Sequence, residues 1–158
     1  MCGISSIYRF TAITANDTDK LSLMNREMQY RGPDDEGVWS DITCGLAQTR
    51  LSIIGLNNGH QPIFNEDKSL VLVCNGEIYN YTELKTKLIA RGHRFYTDTD
   101  SETIVHLYEE YGVKCLDHLR GMFAFILYNT QTKQLFAARD RVGEKMLYYA
   151  QIQTGIVF

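Results

Sequence analysis

At 158 residues the chain has room for one domain with a sizeable buried core, and a separate second catalytic domain does not fit. Its 44% hydrophobic and 22% charged residues are typical of a folded globular protein and argue against disorder. A net charge of −3 without a basic run argues against nucleic-acid binding, and the lack of a long apolar stretch or leader-like start argues against membrane contact, so we expect a cytoplasmic protein.

The first half of the chain predicts more strands than helices, with turn residues between them. A polar break at Asn16 to Asp19 can cap a helix that runs to about Tyr30, with Leu21, Met24 and Met28 on one face. The strands are predicted, in chain order, at Gly3 to Phe10, near Val38, from Cys44 to about Ile54 and, after a turn around Asn57 to Gly59, from Leu70 to Cys74.

The second half opens with two helices, each preceded by a variant of the capping box. Asn80 with Glu83 marks the first start and Thr99 with Glu102 the second, because each pair can satisfy free backbone N–H groups. Glycines mark the two helix ends, at Gly92 and Gly112. An antiparallel meander and the beginning of a further strand follow, at Phe123 to Tyr128, Leu135 to Ala138, Leu147 to Ile152 and Gly155 to Phe158.

Strand runs that are almost continuously apolar, with few helices between them, suggest two sheets packed face to face with helices outside. This is an α+β architecture, and periodicity alone does not choose among such layouts. Because the last strand has only begun where the sequence stops, we expect a domain truncated at its C-terminus.

The cysteines are spaced too far apart to suggest a zinc knuckle or a disulfide framework. No CxxC pair occurs, so we expect reduced thiols and predict no metal site. Cys44 and Cys74 each lie in an apolar run, which predicts small buried core residues. Cys2 differs, because loss of the initiator Met would leave it as the first residue.

A terminal Cys2 would carry a thiol and a free α-amino group together. Such an amine has a pKa of roughly 7.7 to 8.0, so near neutral pH a useful fraction can accept the thiol proton. Nucleophile and general base would then belong to one residue. The alternative interpretation is that a cysteine occupies the second position by chance.

A second candidate element is Asn75, Gly76 and Glu77, which directly follow an apolar run. An Asn amide and a Gly backbone N–H at the end of a strand can point at one spot, and glycine allows an oxygen to approach the chain closely. This arrangement suits an oxyanion hole. Asn-Gly is also the commonest hairpin turn signal, so a purely structural interpretation stays open.

A third candidate is Arg50, a lone cation bordered by apolar residues on a predicted strand. A buried guanidinium is costly without a partner, so it must meet a carboxylate of the protein or of a ligand. The charged run from Arg31 to Gly37 has the composition of a solvated loop, and Asp98 and Asp100 could be ordinary helix-cap residues.

Taken together, these segments resemble the ordered motifs of class II glutamine amidotransferases, closest to the glutaminase domain of asparagine synthetases. The resemblance covers nearly the whole chain, and the order and spacing of the motifs make it far more specific than any single one. The segments are MCGI, RGPDDEG, LAQTRLSIIGL, HQPIF, VCNGEIYNY, TDSETI, RGMFAFILYN and RDRVGEKMLYY.

The resemblance implies the four-layer αββα sandwich of N-terminal nucleophile hydrolases and a role for each matching residue. Cys2 resembles the thiol nucleophile, Asn75 and Gly76 the oxyanion hole, and Arg50 the group that holds the glutamine α-carboxylate. Asp100 resembles the residue that receives the glutamine α-ammonium. The same pocket is implied to be lined by Glu77 and by the backbone of Leu51, Ser52, Ile53 and Ile54.

The implied reaction is thiolate attack on the glutamine side-chain amide, release of ammonia and hydrolysis of a γ-glutamyl thioester. No cofactor is implied for this domain. ATP and magnesium are expected only for a synthetase domain, whose SGG-type pyrophosphate loop this chain lacks. The sequence departs from many relatives at Met146, where they have Pro. The expected partners are glutamine and a separate or missing synthetase part, and the oligomeric state stays open.

Two other functions compete with an active glutaminase. One is a catalytically idle, truncated module that binds glutamine or pairs with a synthetase chain. The other is an N-terminal nucleophile peptidase or amidase for another substrate. Arg50 and Asp100 argue against the latter, because together they suit a free amino acid with both charges.

Overall fold

The computed structural model describes the whole chain, Met1 to Phe158. It contains three α-helices, one 3₁₀ helix at Gly112–Asp117 and nine strands. The α-helices are α1 Ala15–Glu27, α2 Tyr81–Ala90 and α3 Glu102–Tyr111. The strands are β1 Gly3–Arg9, β2 Asp35–Ser40, β3 Cys44–Arg50, β4 Ile63–Phe64, β5 Leu70–Ile78, β6 Gly121–Asn129, β7 Gln134–Arg139, β8 Ala150–Ile152 and β9 Gly155–Val157.

The strands form two antiparallel sheets. The first has the order β2-β3-β1-β9-β8 and the second the order β4-β5-β6-β7. The last strand, β9, pairs with the first strand, β1, although they are farthest apart in the chain. Tyr8 lies opposite Ile156 in this pairing. The N-terminal strand is thereby paired on both sides, since its other neighbour is β3.

Side chains of β5 show why its sequence is continuously apolar. Leu72 and Cys74 belong to the large core under α2 and α3, whereas Val71 and Val73 belong to a separate core between the two sheets. Successive strand residues face opposite sides, so a strand buried on both faces does not alternate with polar residues. On the outer side of the first sheet, Leu21 of α1 packs in a third core. The layer order is therefore helix, sheet, sheet, helix.

The predicted helix starts differ from the structure either in position or in the residues that cap them. In α1 the capping box is formed by Thr14 and Asp17, whose side chains each accept a hydrogen bond from the other's backbone N–H. Asn80 precedes α2 without capping it, because its amide bonds the backbone of His118 and Arg120. These longer-range bonds hold the chain between α3 and β6 against the start of α2.

The Thr99 to Glu102 capping box is also wrong. Helix α3 starts after Ser101, and the Glu102 carboxylate accepts hydrogen bonds from the N–H groups of Tyr96 and Thr97 instead. Glu102 is wholly buried, so it serves the loop before the helix rather than the helix end. Helix α1 stops at Glu27, a turn earlier than predicted.

The sequence analysis did not predict the short strand β4, and the largest differences in strand boundaries are at three other places. Strand β3 ends at Arg50, because residues 51–54 leave the sheet as a loop, and β5 continues to Ile78. Only Ala150–Ile152 of the predicted last meander strand is extended, and it joins the first sheet rather than continuing β7. None of the helices is both long and apolar enough to cross a membrane.

Candidate active site

The candidate residues meet in one pocket where β1, β3 and β5 end or begin. The enclosed cavity is small, about 60 Å³. The sequence-predicted residues that line it are Cys2, Arg50, Leu51, Ile53, Ile54, Asn75, Gly76, Glu77 and Asp100. Ser52 is the exception, since it does not line the pocket and its N–H donates to Asp34.

Cys2 is held at the pocket by its backbone. Its carbonyl accepts a hydrogen bond from Nε of Arg31 at 3.2 Å, and the next N–H, of Gly3, donates to Oγ1 of Thr49 at 3.2 Å. The thiol is half-buried and lies 3.8 Å from the carbonyl oxygen of Leu51. Met1 lines the same pocket and is 58% exposed, so its removal would widen the pocket beside the thiol.

The other three cysteines are buried free thiols in the cores. Burial raises the pKa of Cys44 and of Cys115 to about 12, and it raises the pKa of Cys74 as well. Thiols with raised pKa values are poor nucleophiles, because the thiolate is the reactive form. Cys74 also lines the pocket but is only 1% exposed, so Cys2 carries the accessible thiol.

The N–H of Gly76 lies on the pocket edge of β5. Two residues before it the N–H of Cys74 donates to Gln61, and two residues after it the N–H of Ile78 donates to Asp100. Backbone N–H groups alternate between the edges of a strand, so the Gly76 N–H points to the same edge, beyond the end of β4. The side-chain amide of Asn75 makes no hydrogen bond to another protein group and lines the pocket beside it.

Glycine is required at position 76 by the neighbouring strand. A Cβ atom there would lie 2.6 Å from the Cα of Phe123 on β6. Only a residue without a side chain lets β6 approach this closely. The Asn-Gly pair lies within a nine-residue strand, so the hairpin-turn interpretation of this dipeptide is wrong.

Arg50 is a buried cation without a carboxylate partner in the protein. Its residue is 6% exposed, and Nη2 donates to the carbonyls of Ile54 and Gly55 at 2.8 and 2.9 Å. No Asp or Glu oxygen lies within 4.0 Å of the guanidinium, whereas other cations of the chain, such as Arg9 and Lys133, form salt bridges with aspartates. The remaining guanidinium N–H groups are therefore available to an anionic ligand.

Asp100 is a buried carboxylate that lines the same pocket. It is 5% exposed, and its Oδ2 accepts the N–H of Ile78 at 2.5 Å. Burial raises the pKa of this carboxyl, and the nearby charge of Glu77 acts in the same direction. A cationic group in the pocket would oppose both effects, since an opposite charge favours the ionised form.

Several residues that sequence analysis did not single out position the site. Arg31 holds the Cys2 carbonyl, and Asp34 bonds the backbone of both Arg50 and Ser52, so the charged run is not a merely solvated loop. The buried Gln61 pairs with both backbone groups of Cys74 through its amide. Their only sequence signal is membership of the RGPDDEG and HQPIF segments.

Comparison with known proteins identifies the family. A family model described as a glutamine amidotransferase domain matches residues 1–158. Asparagine synthetase (glutamine-hydrolyzing) 2 of Oryza sativa subsp. japonica is 44% identical over 148 residues, which cover 94% of this chain and 25% of that protein. Asparagine synthetase (glutamine-hydrolyzing) 2 of Bacillus subtilis (strain 168) is 42% identical over 160 residues, which cover 100% of this chain and 21% of that protein. The chain thus spans about a quarter of the length of these relatives.

Among solved structures, glutamine phosphoribosylpyrophosphate amidotransferase from B. subtilis, complexed with ADP and GMP, superposes with a TM-score of 0.77. The match covers 99% of this chain and 41% of that protein at 20% sequence identity, so it establishes the fold alone. The fold is the N-terminal nucleophile hydrolase sandwich, as the sequence resemblance implied. The chain belongs to the glutamine amidotransferase domain family, and the predicted likeness to asparagine synthetases is confirmed.

Proposed function

We propose that this domain hydrolyses glutamine to glutamate and ammonia, with Cys2 as nucleophile after removal of Met1. The observation that carries the proposal is the composition of one pocket. It holds the accessible thiol, two free N–H donors at Asn75 and Gly76, an unpaired guanidinium at Arg50 and a buried carboxylate at Asp100. Arg50 would bind the α-carboxylate of glutamine and Asp100 its α-ammonium.

The first half-reaction forms a thioester. The α-amine of Cys2 takes the thiol proton, and the sulfur bonds to the side-chain amide carbon of glutamine while the carbonyl electrons move to oxygen. The Asn75 amide and the Gly76 N–H would stabilise this oxyanion. The ammonium of Cys2 then donates its proton to the amide nitrogen, the C–N bond breaks, and ammonia leaves.

The second half-reaction regenerates the enzyme. Water attacks the γ-glutamyl thioester while the Cys2 amine accepts a proton from it. The C–S bond breaks, the thiol regains its proton, and glutamate leaves. No metal or other cofactor enters these chemical steps.

We further propose that the ammonia is used by an asparagine-synthetase-like partner or domain. The relatives carry about three quarters of their length beyond this domain, and their names describe glutamine-dependent asparagine synthesis. ATP and magnesium would act in that part. The free thiols favour a reducing compartment such as the cytoplasm.

The test is turnover by protein whose intact mass shows Cys2 as the first residue. We expect glutamate and ammonia in equal amounts from glutamine and no release from a glutamine peptide with blocked termini. Calorimetric binding of glutamine without turnover would overturn the proposal in favour of an idle binding module. Equal hydrolysis of the blocked peptide would instead indicate a peptidase or amidase.

Gly59 offers a prediction about Arg50. A Cβ atom at position 59 would lie 2.5 Å from Cζ of Arg50, so Gly59→Ala must displace the guanidinium. We expect KM for glutamine to rise about tenfold, equivalent to ~1.4 kcal/mol, with a smaller change in kcat because the thiol is untouched. Steady-state kinetics measure both constants.

The matched control is Gly92→Ala. Gly92 has a φ of 103°, and a Cβ there meets no atom within 4 Å, so this variant strains the backbone without reaching the pocket. Its KM should equal that of the wild type. A KM unchanged in Gly59→Ala as well would remove Arg50 from the proposed binding role.

A further inference from the structure

Two histidines and two glutamates meet at a place that does not line the catalytic pocket, and none of them takes part in the proposed reaction. Glu66 lies in the turn after β4, His93 in the loop after α2, and His106 and Glu109 one turn apart on α3. One potential ligand atom from each residue lies within 4.8 Å of all the others. These four residues form the histidine–glutamate cluster.

The distances within the cluster suit a tetrahedral cation. Metal–ligand bonds of about 2.0 to 2.2 Å in a tetrahedron separate neighbouring ligand atoms by about 3.3 to 3.6 Å. Nδ1 of His93 lies 3.3 Å from Glu66 and 3.6 Å from Glu109. Nδ1 of His106 lies 3.4 Å from Glu66 and 3.1 Å from Glu109. The two Glu66 distances involve different carboxylate oxygens, so with either oxygen as the ligand three of the six edges are close to the required length.

The outer nitrogens of both histidines face carboxylates. Nε2 of His93 is hydrogen-bonded to Glu110 at 3.2 Å, whereas Nε2 of His106 lies 3.6 Å from the buried Glu102, too far for a hydrogen bond. Metal-binding histidines usually donate their other N–H to a carboxylate or carbonyl, which orients the ring. The glutamates are oriented too, because Glu109 accepts from Asn65 at 2.9 Å and Glu66 from the N–H of Arg94 at 2.8 Å.

A set of ion pairs without a metal is the competing explanation: burial alone would lower the pKa of His106, but Glu102, Glu109 and Glu66 raise it to about 9. To balance the surrounding carboxylates, both imidazoles would have to carry a charge, and their ring centroids lie only 4.8 Å apart. His106 is also fully buried, where an imidazolium loses its hydration. A bound divalent cation would supply the same positive charge while both rings stay neutral.

We propose that the histidine–glutamate cluster is a structural divalent-cation site, best suited to Zn²⁺, with Glu66, His93, His106 and Glu109 as ligands. Two imidazoles and two carboxylates match the ligand preferences of zinc, and four protein ligands leave no open position for catalysis. The ion would join α3 to two loops that are distant in sequence. Because the residues just before α3 line the catalytic pocket, the ion would also stabilise that wall.

The test is zinc binding by metal-stripped protein in a Cys2→Ala background, which removes the exposed thiol as a competing ligand. We expect one equivalent of Zn²⁺ per chain by calorimetry, and a thermal midpoint that rises with zinc concentration. His93→Gln and Glu109→Gln should each weaken binding at least tenfold. Neither change empties a hydrophobic core, and circular dichroism without metal checks that both variants fold.

The control is His60→Gln, which removes an exposed histidine paired with Asp35 elsewhere on the molecule. It should bind zinc like the parent. Absence of saturable binding in the parent, or unchanged affinity in both His93→Gln and Glu109→Gln, would overturn the site. Because the readouts are binding and stability, the result is independent of whether the domain hydrolyses glutamine.

Discussion

Cys2→Ala is expected to reduce glutamine hydrolysis by at least about 10⁴-fold, because the other thiol that lines the pocket, that of Cys74, is only 1% exposed. The remaining cysteines are buried with raised pKa values and cannot replace it. Ammonia release under saturating glutamine measures the loss. Glutamine should still bind, since Arg50 and Asp100 are unchanged.

A form that keeps Met1 should also be impaired, for a different reason. Its Cys2 nitrogen is an amide, which is not a base, and Met1 lines the pocket beside the thiol. General acid–base catalysis contributes roughly 10²- to 10⁴-fold, so a loss in that range is expected. The two forms can be prepared by cleaving a fusion protein either before Met1 or before Cys2.

The control is Cys115→Ala, a core residue of the 3₁₀ helix, which should retain full kcat in the folded fraction. Equal ammonia release by the Met1-retaining and Cys2-terminal forms would contradict the role of the terminal amine. Persistent release by Cys2→Ala would contradict the thiol mechanism altogether.

The layers of the fold were predictable because the apolar runs were long. Strands β5 and β6 are apolar at successive positions, and that pattern reports burial on both faces. The predictions of helix caps were wrong. Asn80 and Glu102 have the side chains of capping residues, but each bonds backbone groups of another segment. A capping pattern considers only the hydrogen-bond partners within one turn of the chain. Here both side chains instead bond partners that the fold brings from other segments.

The site was predictable where a residue has unusual local chemistry. Cys2 stands out as a thiol that becomes terminal if Met1 is removed, and Arg50 as a cation in an apolar run. Arg31 and Gln61 could not be found in this way, since their contribution is a hydrogen bond to the backbone of a distant strand. The sequence also could not show that Ser52 lies outside the pocket, because its position depends on how the loop turns after β3.

The histidine–glutamate cluster shows the same limit. Its ligands come from three segments between Glu66 and Glu109, and only the pair His106 and Glu109 has a recognisable spacing on one helix. No cysteine pair marks it, so the sequence predicted no metal site. Convergence of separate loops is a property of the packed helices and is not encoded in any short motif.

Asp100→Asn is expected to separate substrate binding from stability. Burial raises the pKa of Asp100 in the folded protein, so its ionised form destabilises the fold at neutral pH, and that cost disappears as the pH falls below the folded pKa. A neutral asparagine can still accept the N–H of Ile78. The thermal midpoint at neutral pH should therefore be unchanged or higher.

The same change should weaken glutamine binding, because the substrate ammonium loses its buried partner. Removing one member of a buried charge pair costs about 2 to 4 kcal/mol, so KM should rise roughly 30- to 1,000-fold. Asp98→Asn is the matched control, since that side chain is 77% exposed and does not line the pocket. Its KM should be that of the wild type.

A substrate analogue makes this prediction specific to the ammonium group. Glutaramate has the amide and the carboxylate of glutamine but lacks the α-ammonium, so it would leave the Asp100 carboxylate buried and unpaired. The wild type should discriminate strongly against it, and Asp100→Asn should lose most of that discrimination. If the variant kept the wild-type preference for glutamine, the ammonium would have to be recognised by another group of the pocket, with Glu77 the nearest acidic candidate.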